Sequence, residues 1–60
     1  MNQEARQWLD MAQTDFGVAK HLEANYYPKP LGIICYHCQQ AVEKGIKALI
    51  VNYAAKRGNT

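Results

Sequence analysis

Nowhere in the 60 residues is there a run approaching the roughly 18 consecutive apolar positions of a membrane-crossing helix. The first residues, MNQEARQW, carry neither the basic nor the apolar region of a secretory signal. These two absences set the expectation of a cytoplasmic protein with no membrane partner. Cysteine is nearly missing too, with only Cys35 and Cys38 present. In the cytoplasm both would stay reduced, and thiols three residues apart on one helix cannot staple distant segments. Charge of one sign is not in excess, because seven Lys and Arg face five Asp and Glu, and only Lys56 and Arg57 are adjacent. That excludes a basic tail or stripe of the kind that marks a strong nucleic-acid binder. The absence of low-complexity runs, with 20% charged and 48% hydrophobic residues, argues against a disordered tail. No glycine-rich phosphate loop, nucleophile elbow or pair of carboxylates at catalytic spacing occurs.

What is present is helical periodicity. Leu31 to Tyr53, LGIICYHCQQAVEKGIKALIVNY, returns an apolar residue every third or fourth position. With Cys38 at the centre and 100° per residue, Leu31, Ile34, Cys35, Ala41, Val42, Gly45, Ile46, Leu49 and Tyr53 fall within an arc of roughly 140°. Such an arc is wider than one partner helix covers. Tyr36, Gln40, Glu43 and Lys47 lie opposite, with His37 and Lys44 at the edge. A helix nearer the N-terminus follows the N-cap candidate Asn2 and gathers Ala5, Trp8, Leu9, Ala12, Phe16, Ala19 and Leu22 on one face. Asp15 breaks that face, and a carboxylate there needs a partner to offset its desolvation. Asn25 to Pro30, NYYPKP, interrupts both patterns, since each proline turns the residue before it away from helical geometry.

These features predict an all-α fold: an antiparallel two-helix hairpin with helix 2–24, turn 25–30 and helix 31–56, Pro30 opening the second helix. A chain this short buries only about 60% of its unfolded surface. The hairpin is therefore expected to form part of an up-and-down four-helix bundle, completed by dimerisation or by further C-terminal helices. Gly58-Asn59-Thr60 reads as the start of such a connection, after two cations in the last turn and a glycine stop. With the turn centred near Tyr27, residues whose numbers sum to about 54 stand level. Trp8 then meets Gly45 and Ile46, where a glycine gives an indole room, Ala12 meets Ala41 and Val42, Phe16 meets Cys38, and Leu22 meets Leu31. Glu43 and Lys47 form a favourable i,i+4 pair.

Several residues carry candidate chemistry beside a plainer reading. Cys35 and Cys38 share a face, but His37 points roughly 100° from one and 160° from the other, so the three do not converge on a metal. Both cysteines read first as small buried core thiols, and no metal or cofactor is expected. His37, Gln40 and Lys44 line one edge of the second helix, where they either meet a phosphate or base edge or simply border the core. Asp15 stands level with Gln39 and has Gln39, His37 or a partner chain in reach. Tyr26 and Tyr27 either close the hairpin or stack on bases.

From Tyr36 the chain runs aromatic, His, small, Gln, Gln, Ala, small, Glu, Lys, any, aliphatic, Lys, Ala, aliphatic, filled by Tyr36, His37, Cys38, Gln39, Gln40, Ala41, Val42, Glu43, Lys44, Gly45, Ile46, Lys47, Ala48 and Leu49. Trp8, Ala12, Asp15-Phe16 and Ala19 fit the companion pattern on the first helix. Together they resemble the HEPN domain, the higher-eukaryote and prokaryote nucleotide-binding family, over nearly the whole chain. The resemblance implies a helical bundle, often dimeric, found beside a small nucleotidyltransferase in prokaryotic two-gene modules and in RNases of toxin–antitoxin and defence systems. It implies a homodimer or higher homo-oligomer, a nucleotidyltransferase partner, and a nucleotide or RNA ligand. The motif positions Asp15, His37, Gln40, Glu43 and Lys44 carry over as ligand contacts, and no catalytic residue does. Active family nucleases have an Arg, a short spacer and a His on a later helix, whereas Arg6 and Arg57 precede no suitably spaced His. RNase activity would need that motif further along the protein. The alternative is a noncatalytic structural hairpin that mediates homo-oligomerisation.

Overall fold

The structure, a computed structural model, describes residues 1–58. Two helices account for most of it, α1 (Gln3–Asn25) and α2 (Leu31–Gly58). Residues 59 and 60 of the expected connection lie outside the described residues. The Cα positions span 52 × 15 × 9 Å, a long, thin slab. No helix among the described residues is long and apolar enough to cross a membrane.

Local chemistry sets the helix ends. Asn2 is extended, and its side-chain oxygen accepts the backbone N–H of Ala5 at 2.7 Å, with Glu4 in the first turn near the positive end of the helix dipole. At the far end of α1 the N–H of Tyr26 still donates to Leu22 O, before the extended backbone of Tyr26 leaves the helix. The turn contains a cis Tyr27-Pro28 bond and is clasped by Lys29 Nζ donating to Glu23 at 2.5 Å. Pro30 stands immediately before α2, and its carbonyl accepts the first helical bond, from Ile34 N at 3.0 Å. A proline suits that place because a helix start has no use for its missing N–H.

The two helices run antiparallel. Asn52 Oδ1 accepts the backbone N–H of Asn2, Lys47 lies over Trp8, and Phe16 shares a groove with Cys38, so chain positions fall on α2 as they rise on α1. These pairs sum to 54 or 55, the register read from the turn.

The interior differs from the one expected. Among the described residues only Ala5, Ala12, Ala19 and Ala48 are buried, and no large side chain is fully enclosed. Ala5, Ala12 and Ala19 recur every seven residues and so keep nearly one line along α1. With only a methyl group on that line, the two backbones approach too closely for larger residues to enter between them. The bulky apolar residues stay at the sides: Phe16 is 54% exposed, Val42 61% and Leu49 66%, with Leu31, Ile46 and Tyr53 similarly open. The broad arc of α2 is thus split, its Ile34–Ala41–Ala48 side turned to α1 and its Leu31–Val42–Leu49 side left bare. Cys35 is exposed and Cys38 half-buried, which corrects the expectation of two core thiols. Gly45 does not make room for Trp8 either, since a Cβ there would meet nothing within 4 Å.

A half-buried Asp–His–Lys cluster across the hairpin

Asp15 projects from α1 at the edge of the alanine line, facing the stretch of α2 that carries His37 and Lys44. Those two residues are seven apart, two helical turns, and so lie on one face with a gap between them. The Asp15 carboxylate fills the gap. Its Oδ1 is 3.0 Å from His37 Nδ1, and its Oδ2 accepts from Lys44 Nζ at 2.5 Å. Side-chain exposure is 13% for Asp15, 25% for His37 and 26% for Lys44, so the acid is the most enclosed of the three. Lys44 foremost, and then the His37 hydrogen bond, hold the Asp15 carboxyl below the usual aspartate range against the opposing pull of desolvation.

A carboxylate only accepts hydrogen bonds, so His37 Nδ1 carries the proton and Nε2 is left as the nitrogen available to a ligand. The ring is also braced edge-on by Tyr36, with centroids 5.4 Å apart at 78°. Lys44 spends one of its three donors on Asp15. Gln40, one turn from each, stands on the same edge, and its Nε2 lies 3.5 Å from Glu43 Oε2. Of the five residues singled out by sequence, the structure therefore brings Asp15, His37 and Lys44 into direct contact. Gln40 and Glu43 form a separate, long and exposed pair.

Two neighbours of the cluster were not foreseen as site residues. Lys47 places Nζ 5.5 Å from the Trp8 ring centroid and makes no ion pair with Glu43 among the described residues. Even at an exposed position a cation–π contact is worth about 0.5–1 kcal/mol, enough to match or exceed an exposed i,i+4 pair worth a few tenths of a kcal/mol. The register set Trp8 level with Gly45 and Ile46, one residue short of Lys47, and is the signal that could have found it. Asn52, bonded to the start of α1, likewise has its signal in the sum of 54. Among the described residues no group of three or more His, Cys, Asp and Glu side chains is arranged to hold a metal ion.

On the other side of the slab Phe16, Ile34 and Cys38 line an open groove of about 300 Å³, with Lys20 and Glu23 beside it. Lys20 Nζ rests 5.7 Å from the Phe16 ring centroid. The hairpin thus has an ionic side and an oily side, divided by the alanine line.

An antiparallel helical pair pinned by one acid from α1 and an imidazole and an ammonium from α2 defines the class: a bundle-type helical hairpin with an interhelical ionic cluster. The chain belongs to the HEPN domain family, whose model matches residues 5–60, a span that contains every residue of the cluster. No curated protein and no solved structure matches the chain.

Proposed function

We propose that this chain binds a nucleotide or single-stranded RNA along its ionic side, with the unspent donors of Lys44 meeting phosphate oxygens and His37 Nε2 accepting from a ribose hydroxyl or a base amino group. The observation that carries this reading is the half-buried cluster itself, within a chain whose family is nucleotide- or RNA-related. Gln40 offers an amide to a base edge, and Glu43 an acceptor to a ribose hydroxyl or base amino group. Asp15, with both oxygens engaged inward, is a positioning residue that aims the other two. Trp8 and Lys47 lie on the same side and extend the surface with an aromatic face and a further cation. RNase activity would require an Arg and His motif further along the protein. The finer setting that fits is a toxin–antitoxin or defence module with a nucleotidyltransferase partner.

Trp8 is the sole tryptophan and reports on that side directly. Its fluorescence, titrated with nucleoside triphosphates and with short single-stranded RNA, is expected to change saturably in the native chain and not in His37→Ala. Circular dichroism checks that the variant keeps its helix content. An absence of saturable change for every ligand into the millimolar range overturns the binding reading. The alternative, a structural hairpin that self-associates, is favoured by a separate observation, the large apolar residues left exposed on the opposite side.

A further inference from the structure

We infer that His37 Nε2 reads the 2′-hydroxyl of a ribose whose 3′-phosphate Lys44 holds, and that a proton taken up on this nitrogen switches the reading off. This rests on the nucleotide-binding reading above and adds to it which sugar the site selects and what regulates the selection.

Two atoms carry the argument. Nε2 of His37 makes no hydrogen bond among the described residues, while Nδ1 is held 3.0 Å from Asp15 Oδ1. It is the open acceptor. Lys44 Nζ lies 2.5 Å from the other oxygen of the same carboxylate, so a neutral acceptor and a cation stand side by side across one small group. Within a strand, the hydroxyl that lies beside a phosphate is the ribose 2′-hydroxyl, on the carbon next to the one bearing the 3′-phosphate. Base amino groups lie on the far side of the sugar. The pairing of acceptor and cation thus fits the hydroxyl and phosphate of a single nucleotide. A deoxyribose offers Nε2 only carbon, and with the ring side chain 25% exposed that acceptor is left without a partner and partly without water.

Proton uptake on the ring has one place to go. Nδ1 already directs its proton at Asp15, so an imidazolium forms by protonation of Nε2, the ligand-facing atom. That nitrogen then donates, and a charged phosphate oxygen is a stronger partner for it than a hydroxyl. The site gains a contact common to every strand and loses the one peculiar to ribose. Asp15 from α1, with Lys44 and the edge-on Tyr36 from α2, are the titratable groups set against the ring. Histidine is the side chain that changes charge between about pH 5 and 8, whereas the Asp15 carboxyl, held below the usual aspartate range, stays ionised there.

The test is Trp8 fluorescence titrated with one short single-stranded sequence made with ribose, with deoxyribose and with 2′-fluororibose, which keeps a ribose-like pucker but has no hydroxyl proton to give. At about pH 8 the ribose strand is expected to bind about three- to tenfold more tightly than the other two, the worth of one neutral hydrogen bond. At about pH 5 that ratio is expected to fall below about twofold while the deoxyribose strand tightens, as an added charged contact requires. His37→Gln has no titrating group at that position and is expected to bind with the same ratio at both pH values. Circular dichroism at each pH checks that the helices persist. Equal affinity for the ribose and 2′-fluororibose strands at the higher pH, a ratio that survives at the lower pH, or a ratio in His37→Gln that falls as it does in the native chain overturns the inference and leaves the binding reading in place. Absence of binding by all three strands overturns both.

Discussion

Replacing Ala48 by leucine tests the alanine seam most sharply. Ala48 is 1% exposed and packs on the α1 face where Ala5 is wholly buried, so its Cβ already fills the space between two backbones. Leucine adds three carbons to a site that is already closed to solvent. Overpacking of this kind costs about 1–3 kcal/mol. Intrinsic helix preference scarcely enters, since alanine and leucine differ by only a few tenths of a kcal/mol. A 60-residue chain has a stability of about 3–9 kcal/mol in all, so the loss is a large part of the total. A cost of about 2 kcal/mol corresponds to a fall of about 8–16 °C in Tm for a domain of this size. Thermal melts followed at 222 nm measure it, with native, Ala48→Leu and Ala54→Leu chains at one protein concentration. Ala54 is an exposed residue of the same helix, and its change is expected to stay within about 0.5 kcal/mol. Equal melts for the two variants would refute the close approach of the helices at Ala48.

Gly17 and Gly45 lie in helix interiors where an added Cβ meets nothing within 4 Å, so Gly17→Ala and Gly45→Ala are each expected to stabilise by about 0.5–1 kcal/mol in urea titrations; destabilisation at Gly45 would restore the idea that Trp8 needs its space. Asn2→Ala removes the cap on Ala5 N and is expected to lower stability by about 1 kcal/mol, with fraying of the first turn of α1 visible in hydrogen exchange. The Asp15 carboxyl is held below its ordinary range, so the unfolded chain takes up this proton first, and stability from the group is full above about pH 4 and lost as pH falls through the lower folded value. Urea midpoints from pH 6 downward are accordingly expected to fall on the acid limb, and to fall less steeply in Asp15→Asn, while unchanged slopes would contradict the Lys44 and His37 contacts.

Fold class and register were legible because they depend on patterns spread along the chain: 3.6-residue periodicity, two prolines in one turn, and a turn centre that fixes which positions stand level. The need for a partner at Asp15 was also legible, since one carboxylate on an apolar face has few ways to be satisfied, and His37 was among those named. The depth of each residue was not legible. A helical wheel ranks positions by hydrophobicity, whereas the separation of two helices is set by their smallest facing residues. Alanines at 5, 12 and 19 draw the helices together and push Phe16, Val42 and Leu49 to the flanks, where periodicity alone had placed them inside. The same rotation brings Lys44 inward to Asp15, a contact a wheel centred on the bulkiest residues leaves at the edge. Lys47 turned to Trp8 for a related reason, because a partly desolvated aromatic across the seam competes well with an exposed carboxylate on the same helix.

The central claim is that the hairpin has two sides with separate tasks and that ligand chemistry lies on the ionic one. Amide chemical-shift mapping with a short single-stranded RNA tests it most directly. The account predicts perturbations at Trp8, His37, Gln40, Lys44 and Lys47, with Phe16, Cys38, Val42 and Leu49 left quiet. Shifts confined to Phe16, Cys38, Val42 and Leu49, or none at saturating RNA, would contradict it.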